Sequence, residues 1–420
     1  MTNSLYLINV FLLIILNLWP IWFSTKYLRL TTINPFTIKM VIELPVFLMI
    51  ALVGPAFNIT NGLFDEGYQF AVLMSNLEKF FQILGLIFFY RVFLKIRIDK
   101  FLPFNNSFLS FGDLRSCKVF FLFLFFISLF FLANSSYGVI NWIFNPRVGY
   151  QLHRIGNGHL YALATSFLSV SYIFSLLTSS KSKSIAITIT IYIFYAYFLG
   201  SKGTILSFFA AGLIFLWFAK SKYLTYFIFY GLPIIFTILL FNLYLSYSED
   251  FNIVSIVSYF DHYKNASDYY NAYFLDEIPL FNGEMLLTSW WKYIPRALFD
   301  TKPFTYGPLL VNEYFFPGQA ELTNTPAFAG AVDSFADFGI FGVVLYSFFS
   351  SEFIVIAFCS FLLFNYPGIN FYKVSILMCT ILFVFFGPAF GVFFQGPIYI
   401  LLIIFIVFLI FFIKIFRRKI

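Results

Sequence analysis

Apolar runs broken by short polar turns repeat along the whole chain, and most of them are long enough to cross the hydrocarbon of a bilayer. A spanning helix needs about 20 mostly apolar residues. Runs that fit cover 5–23, 40–57, 70–90, 118–133, 159–178, 184–200, 203–219, 223–246, 338–363, 371–392 and 397–414. The second, fourth, sixth and seventh are short and leave little room for tilt. Only Gly200-Ser201-Lys202-Gly203 separates the sixth from the seventh, so these two must form a helical hairpin. The expected fold is all-α: a polytopic integral membrane protein of about eleven transmembrane helices, with short helices in one large loop. Residues 1–246 then hold the first eight spans and a first outer loop at 134–158. Residues 247–337 form the large outer loop, and 338–420 hold three further spans and a basic tail.

Composition points the same way. Of 420 residues, 61% are hydrophobic and 11% charged, against roughly 25% charged in a typical soluble domain. A water-soluble fold of this size needs more polar surface to cover its core, and the bilayer accepts this balance. The 66 phenylalanines read as compositional bias at lipid-facing positions.

The formal net charge of +7 does not imply nucleic acid, because the basic residues sit mostly in short loops. If the loops after spans one, three, five, seven and nine face the cytoplasm with the tail, that side carries 18 basic residues against Asp99 and Asp113. The opposite side carries 7 basic and 14 acidic residues. The positive-inside rule then places the N-terminus outside and the tail inside. Cys117, Cys359 and Cys379 have no metal-like or redox-like spacing. No basic residue precedes the first apolar run and no small-residue cleavage site follows it, so that run reads as a retained span.

Candidate chemistry gathers on the outer side. One stretch is Asn145-Pro146-Arg147 through His153-Arg154 to Gly158, and another is Pro295-Arg296 through Lys302 to Gly307. In each, a proline precedes an arginine and a glycine follows eleven positions later. Two guanidinium groups in separate loops suit an anionic ligand, since the planar fork grips two phosphate oxygens at once. Loop arginines paired with nearby acids would leave the same pattern. A third stretch, Thr325-Pro326 through Gly330, Asp333 and Asp337 to Gly339, enters the ninth span. Asp333 and Asp337 share a helical face. Asp333 there could take a proton from a hydroxyl, or the two could be solvated interfacial carboxylates. Glu43, Glu78 and Glu352 lie inside spans, where a carboxylate is costly; no role follows from sequence. Asp261-His262 lacks a third ligand nearby, and no glycine-rich phosphate loop occurs, so neither metal nor nucleotide is expected.

Together these residues resemble the bacterial O-antigen and capsular repeat-unit polymerases of the Wzy type, relatives of the O-antigen ligase-like glycosyltransferases. The resemblance rests on the paired arginine-to-glycine spacings, the Gly200-Ser201-Lys202-Gly203 turn, and the stretch from Gly330 and Asp333 to Phe338-Gly339 and Gly342. Family members often carry arginine where this chain has Lys202, and glutamate where it has Asp333. The resemblance implies an inner-membrane glycosyltransferase with no cofactor, acting on undecaprenyl-diphosphate-linked glycans at the periplasmic face. It also implies contact with membrane lipid, a flippase and a chain-length regulator as partners, and no nucleic acid. By the same resemblance Arg147, Arg154, Lys202, Arg296 and Lys302 would hold the diphosphate, and Asp333, or else His153, would act as base. A ligase using the same donor is the nearest alternative. A lipid-oligosaccharide flippase or other transporter is the next, disfavoured because no internal repeat is found and the polar residues gather in loops.

Overall fold

The computed structural model describes residues 3–30, 34, 36–37, 65–96, 111–152, 157–179, 181–219, 221–231, 233–234, 237, 262–294, 299, 301–321, 326–350, 353–354, 356–358 and 360–361. Among them there are helices and turns and no strand. The principal helices are α1 Asn3–Trp22, α2 Glu66–Ile96, α3 Phe111–Ser136, α4 Val139–Phe144, α5 Pro146–Leu152 and α6 Gly158–Leu177. After these come α7 Ser182–Tyr197, α8 Lys202–Phe218, α9 His262–Phe274, α10 Glu284–Thr288, α11 Leu309–Phe315 and α12 Val332–Phe348.

Among the described residues, four stretches are long and apolar enough to cross a membrane: Leu7–Tyr27, Glu66–Lys95, Arg115–Ser136 and Gly158–Leu177, with Gly203–Trp217 a shorter apolar helix. They coincide with the expected first, third, fourth, fifth and seventh spans. The fourth is longer than 118–133, because α3 starts at Phe111 and carries Asp113, Arg115 and Lys118 in its opening turns. Polar residues that end an apolar run need not end a helix. The expected spans at 40–57, 371–392 and 397–414 lie outside the described residues, as do parts of those at 223–246 and 338–363.

The chain divides into two compact units, one of Met1–Phe93 with Thr225–Ile369, the other of Leu94–Leu224 with Asn370–Ile420. In the first, Asp65 caps α2 by accepting the Tyr68 amide at 2.9 Å, as an N-cap aspartate does. The same carboxylate accepts from the Ser267 hydroxyl and from Asn271 Nδ2, the latter at 2.7 Å, and so fixes the start of α2 to α9. Gly67 permits this approach, since a Cβ there would meet the Ser267 carbonyl oxygen at 2.4 Å.

α2 and α12 run in the same direction. A Cβ at Gly330 would meet the Ala71 Cβ at 2.8 Å, and one at Gly85 would meet the Phe348 carbonyl oxygen at 2.1 Å. The Phe88 and Phe89 rings continue the contact onto Phe348. α9 does not spend its aromatic face on lipid, as a surface helix would. Tyr263, Tyr269 and Tyr270 are buried in a core with Tyr68, Ala71, Val72, Phe335 and Val343. Phe335 is ringed by Tyr270 and Tyr273, each edge-on at 5.1 Å.

In the second unit α3 and α6 pack antiparallel: Ser171 Oγ donates to the Lys118 carbonyl at 2.9 Å, and Asn157 Nδ2 to Ser136 Oγ at 3.1 Å. α7 and α8 form the hairpin that the four-residue turn requires. Gly212 of α8 lies against the Ile189 side chain of α7, and Tyr172 of α6 donates to the Phe208 carbonyl of α8 at 2.9 Å.

Candidate functional site

The first candidate place is built in the second unit. α4 and α5 occupy the loop between α3 and α6, and Trp142 is their anchor: it is buried and its indole donates to the Phe198 carbonyl at 2.7 Å. Gly149 leaves room for that indole, since a Cβ there would meet the ring at 2.3 Å. Pro146 opens α5, a position where the missing N–H costs nothing. Gly200, with φ +68, lies so close that its Cβ would meet the Pro146 carbonyl oxygen at 2.0 Å. Arg147 is thereby brought to the α7–α8 turn. Its Nη1 donates to the Gly200 carbonyl at 3.5 Å and its guanidinium lies over the Tyr150 ring at 5.1 Å.

That hydrogen bond is long, and Arg147 Nε is buried with no hydrogen-bond partner, an N–H donor aimed at the turn that an acceptor could use. Next to it α8 begins at Lys202, capped by Ser201, whose hydroxyl accepts the Thr204 amide at 3.4 Å. A helix start presents free N–H groups and partial positive charge to an anion. Tyr150 packs edge-on against Tyr161, their ring centroids 5.3 Å apart, and the Tyr161 hydroxyl lies 3.5 Å from Thr204 Oγ1. His159 Nδ1 is also buried without a partner. The arrangement joins two features that the sequence showed separately, Arg147 and the Gly200–Gly203 turn. The Lys202 side chain, His153, Arg154 and Arg296 lie outside the described residues.

The second place is in the first unit, where α12 begins. Gly330 and Ala331 both have left-handed backbone, with φ +64 and +57, and turn the chain into α12. Gly339, φ +61, kinks that helix after Phe338. The kink brings the Ser334 carbonyl close to Gly342, where a Cβ would meet it at 2.1 Å. The glycines of this stretch therefore answer to backbone geometry.

Asp337 is fully buried. Its carboxylate accepts the amides of Gly283, Met285 and Leu286 at 2.9, 3.1 and 3.0 Å and the Tyr346 hydroxyl at 2.5 Å. It is the anchor of α10, and the reading of Asp333 and Asp337 as a solvated pair does not hold. Asp333 behaves differently. Burial of its carboxyl, and then the nearby Glu78, push its pKa up to about 7. The repulsion comes from Glu78 of α2. Its place in the first turn of α12 favours the charged form, and burial outweighs that. A carboxyl that titrates near neutrality is suited to take and release a proton.

Lys302 is engaged in its own loop: its ammonium donates to the Ile294 carbonyl at 2.9 Å and sits 4.8 Å from the Tyr306 ring centre. The two glycines of the paired arginine spacing are not equivalent. Gly307 has φ +54 and lies against Ser289, whereas a Cβ on Gly158 would meet nothing. Sequence reasoning missed Trp142, Tyr150 and Tyr161 as the frame around Arg147, for which no local signal exists. It left Glu78 unassigned, although a carboxylate inside an apolar run was itself the signal.

The chain is thus all-helical among its described residues, with several helices apolar enough for a membrane, an arginine with a buried, unpartnered Nε beside a helix start and a buried carboxyl that titrates near neutrality. It is similar to curated proteins named O-antigen polymerase: those of Salmonella typhimurium and Salmonella typhi are each 29% identical over 204 residues, 48% of this chain and 49% of theirs. The match therefore spans about half the length of these relatives. No family model matches the chain, and no solved structure matches it.

Proposed function

We propose that the protein joins lipid-linked oligosaccharide repeat units into a surface polysaccharide, O-antigen or capsule. The observation that carries this reading is the similarity of about half the chain to O-antigen polymerases. The donor is the growing glycan on undecaprenyl diphosphate, the acceptor a hydroxyl of an incoming lipid-linked unit, and the reaction occurs at the periplasmic face of the inner membrane. The C1–O bond to the diphosphate breaks, its electron pair leaving with the diphosphate, as the acceptor oxygen bonds to C1. A single displacement inverts the anomeric centre.

Two requirements follow. Charge on the departing diphosphate needs fixed donors, which act most strongly when positioned in advance. Arg147 and the start of α8 with Lys202 supply these, joined in this reading by Arg154 and Arg296. The acceptor hydroxyl must lose its proton, and Asp333 takes it, with His153 the second choice. Lys302, already bound to Ile294, acts as a clamp on its loop.

Deleting the gene and resolving the surface polysaccharide on gels tests the reading. A ladder that collapses to one repeat unit is the expected result. Complete loss of capped core would instead indicate a ligase, and an unchanged ladder would reject both.

A further inference from the structure

Within the first unit, the segment that begins at Gly283 is pinned on one side and bare on the other. Asp337 takes the amides of Gly283, Met285 and Leu286. Ser289 Oγ donates to the Met285 carbonyl at 2.6 Å, tying α10 to the 3-10 helix Ser289–Tyr293 that follows it. The Gly307 amide donates to Thr288 Oγ1 at 2.9 Å, and Lys302 closes on the Ile294 carbonyl. These bonds fix the backbone, so the side chains on the free face have set directions.

That free face is apolar. Leu287 is 72% exposed, Phe299 49% and Trp290 43%. Trp290 stacks on Trp291 with ring centroids 4.3 Å apart, and Trp291 meets Phe299 edge-on at 6.3 Å. Leu287 stands one turn before Trp290 on the same side. Scattered exposed apolar residues are ordinary, but a contiguous, rigidly held group of them marks a contact surface. What it contacts follows from its place. Asp337, which pins α10, belongs to α12, and the Phe338 ring lies against Gly283 while Leu280 lies against Gly339. Just past that kink α12 exposes Ile340 and Phe341, the first side chains of the run expected as the ninth span. The bare face thus adjoins the point where the chain passes from the polar loop into lipid.

We propose that the face formed by Leu287, Trp290 and Phe299 lies in the interface of the outer leaflet and docks the large loop on lipid. Indole rings settle at that depth, with the ring among acyl chains and the N–H among headgroups. The charges that alternate with the face in sequence, Lys292, Arg296, Asp300 and Lys302, suit the headgroup layer beside it, as in other interfacial segments. In the polymerase reading one consequence follows. Arg296, between Trp291 and Phe299 in sequence, is then held at headgroup depth, where a lipid-linked diphosphate must stay because its tail keeps to the hydrocarbon. That consequence rests on the polymerase reading, whereas the docking does not.

The test places one nitroxide label on the full-length protein in vesicles of phosphatidylethanolamine and phosphatidylglycerol. The label is carried by Leu287→Cys, with Cys117, Cys359 and Cys379 changed to alanine. Oxygen, which concentrates in lipid, should relax this label more than an aqueous nickel chelate does. A label at Glu321→Cys, exposed elsewhere in the loop, should show the reverse order. A Leu287 label more sensitive to nickel overturns the docking. So does one shielded from both reagents, which would mean that glycan or another protein segment covers the face. If the protein without its native cysteines does not fold, tryptophan emission decides, in vesicles whose acyl chains carry bromine close to the headgroups. Trp290→Phe should remove emission that the brominated lipid quenches; removal only of emission that aqueous iodide quenches overturns the docking. Neither measurement uses turnover, so a failure of the polymerase reading, seen in the gene deletion, is a separate result.

Discussion

The amide of Gly283 donates to the carboxylate of Asp337 at 2.9 Å across 54 residues of sequence. With the amides of Met285 and Leu286 and the Tyr346 hydroxyl, it makes Asp337 the peg that holds α10 to α12. Asp337→Ala would strip four donors of their acceptor. Hydrogen bonds to a charged group contribute about 1.5–3 kcal/mol each, and orphaned buried donors cost a similar amount. The loss is expected to be on the order of 3 kcal/mol or more, read as a drop of several degrees in the unfolding temperature in detergent. A variant as stable as the native protein would remove Asp337 from this role.

Gly200 makes the matching prediction in the other unit. It combines φ +68 with a carbonyl of Pro146 where a Cβ would stand, 2.0 Å away. Gly200→Ala must strain the turn by about 1–3 kcal/mol and move Pro146 aside, and Arg147 with it. The expected result is inserted protein with lost polymerisation. Normal ladder length in this variant would show that the contact of α5 with the turn is dispensable.

Arg147 itself should respond to the form of its charge. Arg147→Ala is expected to abolish polymerisation while leaving insertion intact. Arg147→Lys should restore only part of it, because lysine lacks the planar fork. Equal activity of the lysine and arginine forms would mean that a point positive charge is enough.

Much of this arrangement was legible along the chain, and the reason is locality. Apolar length is a property of consecutive residues, so the helices Leu7–Tyr27 and Gly158–Leu177 lie where the runs placed them. The α7–α8 hairpin followed from four turn residues. Partners distant in sequence were not legible. Nothing near Asp337 announces Gly283, and nothing near Glu78 announces Asp333, because helix packing alone brings them together. Spacing also overstated a likeness: Gly307 answers to a positive φ, while Gly158 faces open space.

Orientation rests on the split of basic residues between the two sides, and fusions read it directly. Alkaline phosphatase folds only outside the cytoplasm. Joined after Gly318 it should be active, and joined after Lys183, next to the start of α7, it should be inactive. Equal activity at both positions would overturn the orientation and place Asp333 on the wrong side for the proposed reaction.

Asp333 sets activity and stability against each other. Its pKa stands near 7, above the ordinary 3.8, because burial penalises its charge and Glu78 adds to the penalty. The folded protein therefore holds a proton that the unfolded chain has released between about pH 4 and 7. Stability from this group is complete below the unfolded value and is lost as pH rises through 7. The proposed catalysis needs the opposite form, since in that reading ionised Asp333 accepts the hydroxyl proton. The unfolding temperature should fall as pH climbs from about 4 to 7 and level off above that, while polymerisation should rise as pH passes through about 7. Asp333→Asn cannot ionise, so it should be the more stable protein at pH 8 and gain nothing at pH 4. Its turnover should fall by about 10²–10⁴-fold, the usual contribution of a general base, with substrate binding largely kept. His153→Asn is the companion measurement: if it is inactive while Asp333→Asn turns over at the native rate, the base is the histidine. An Asp333→Asn protein no more stable than native at pH 8 would mean that its charge is not penalised in the fold.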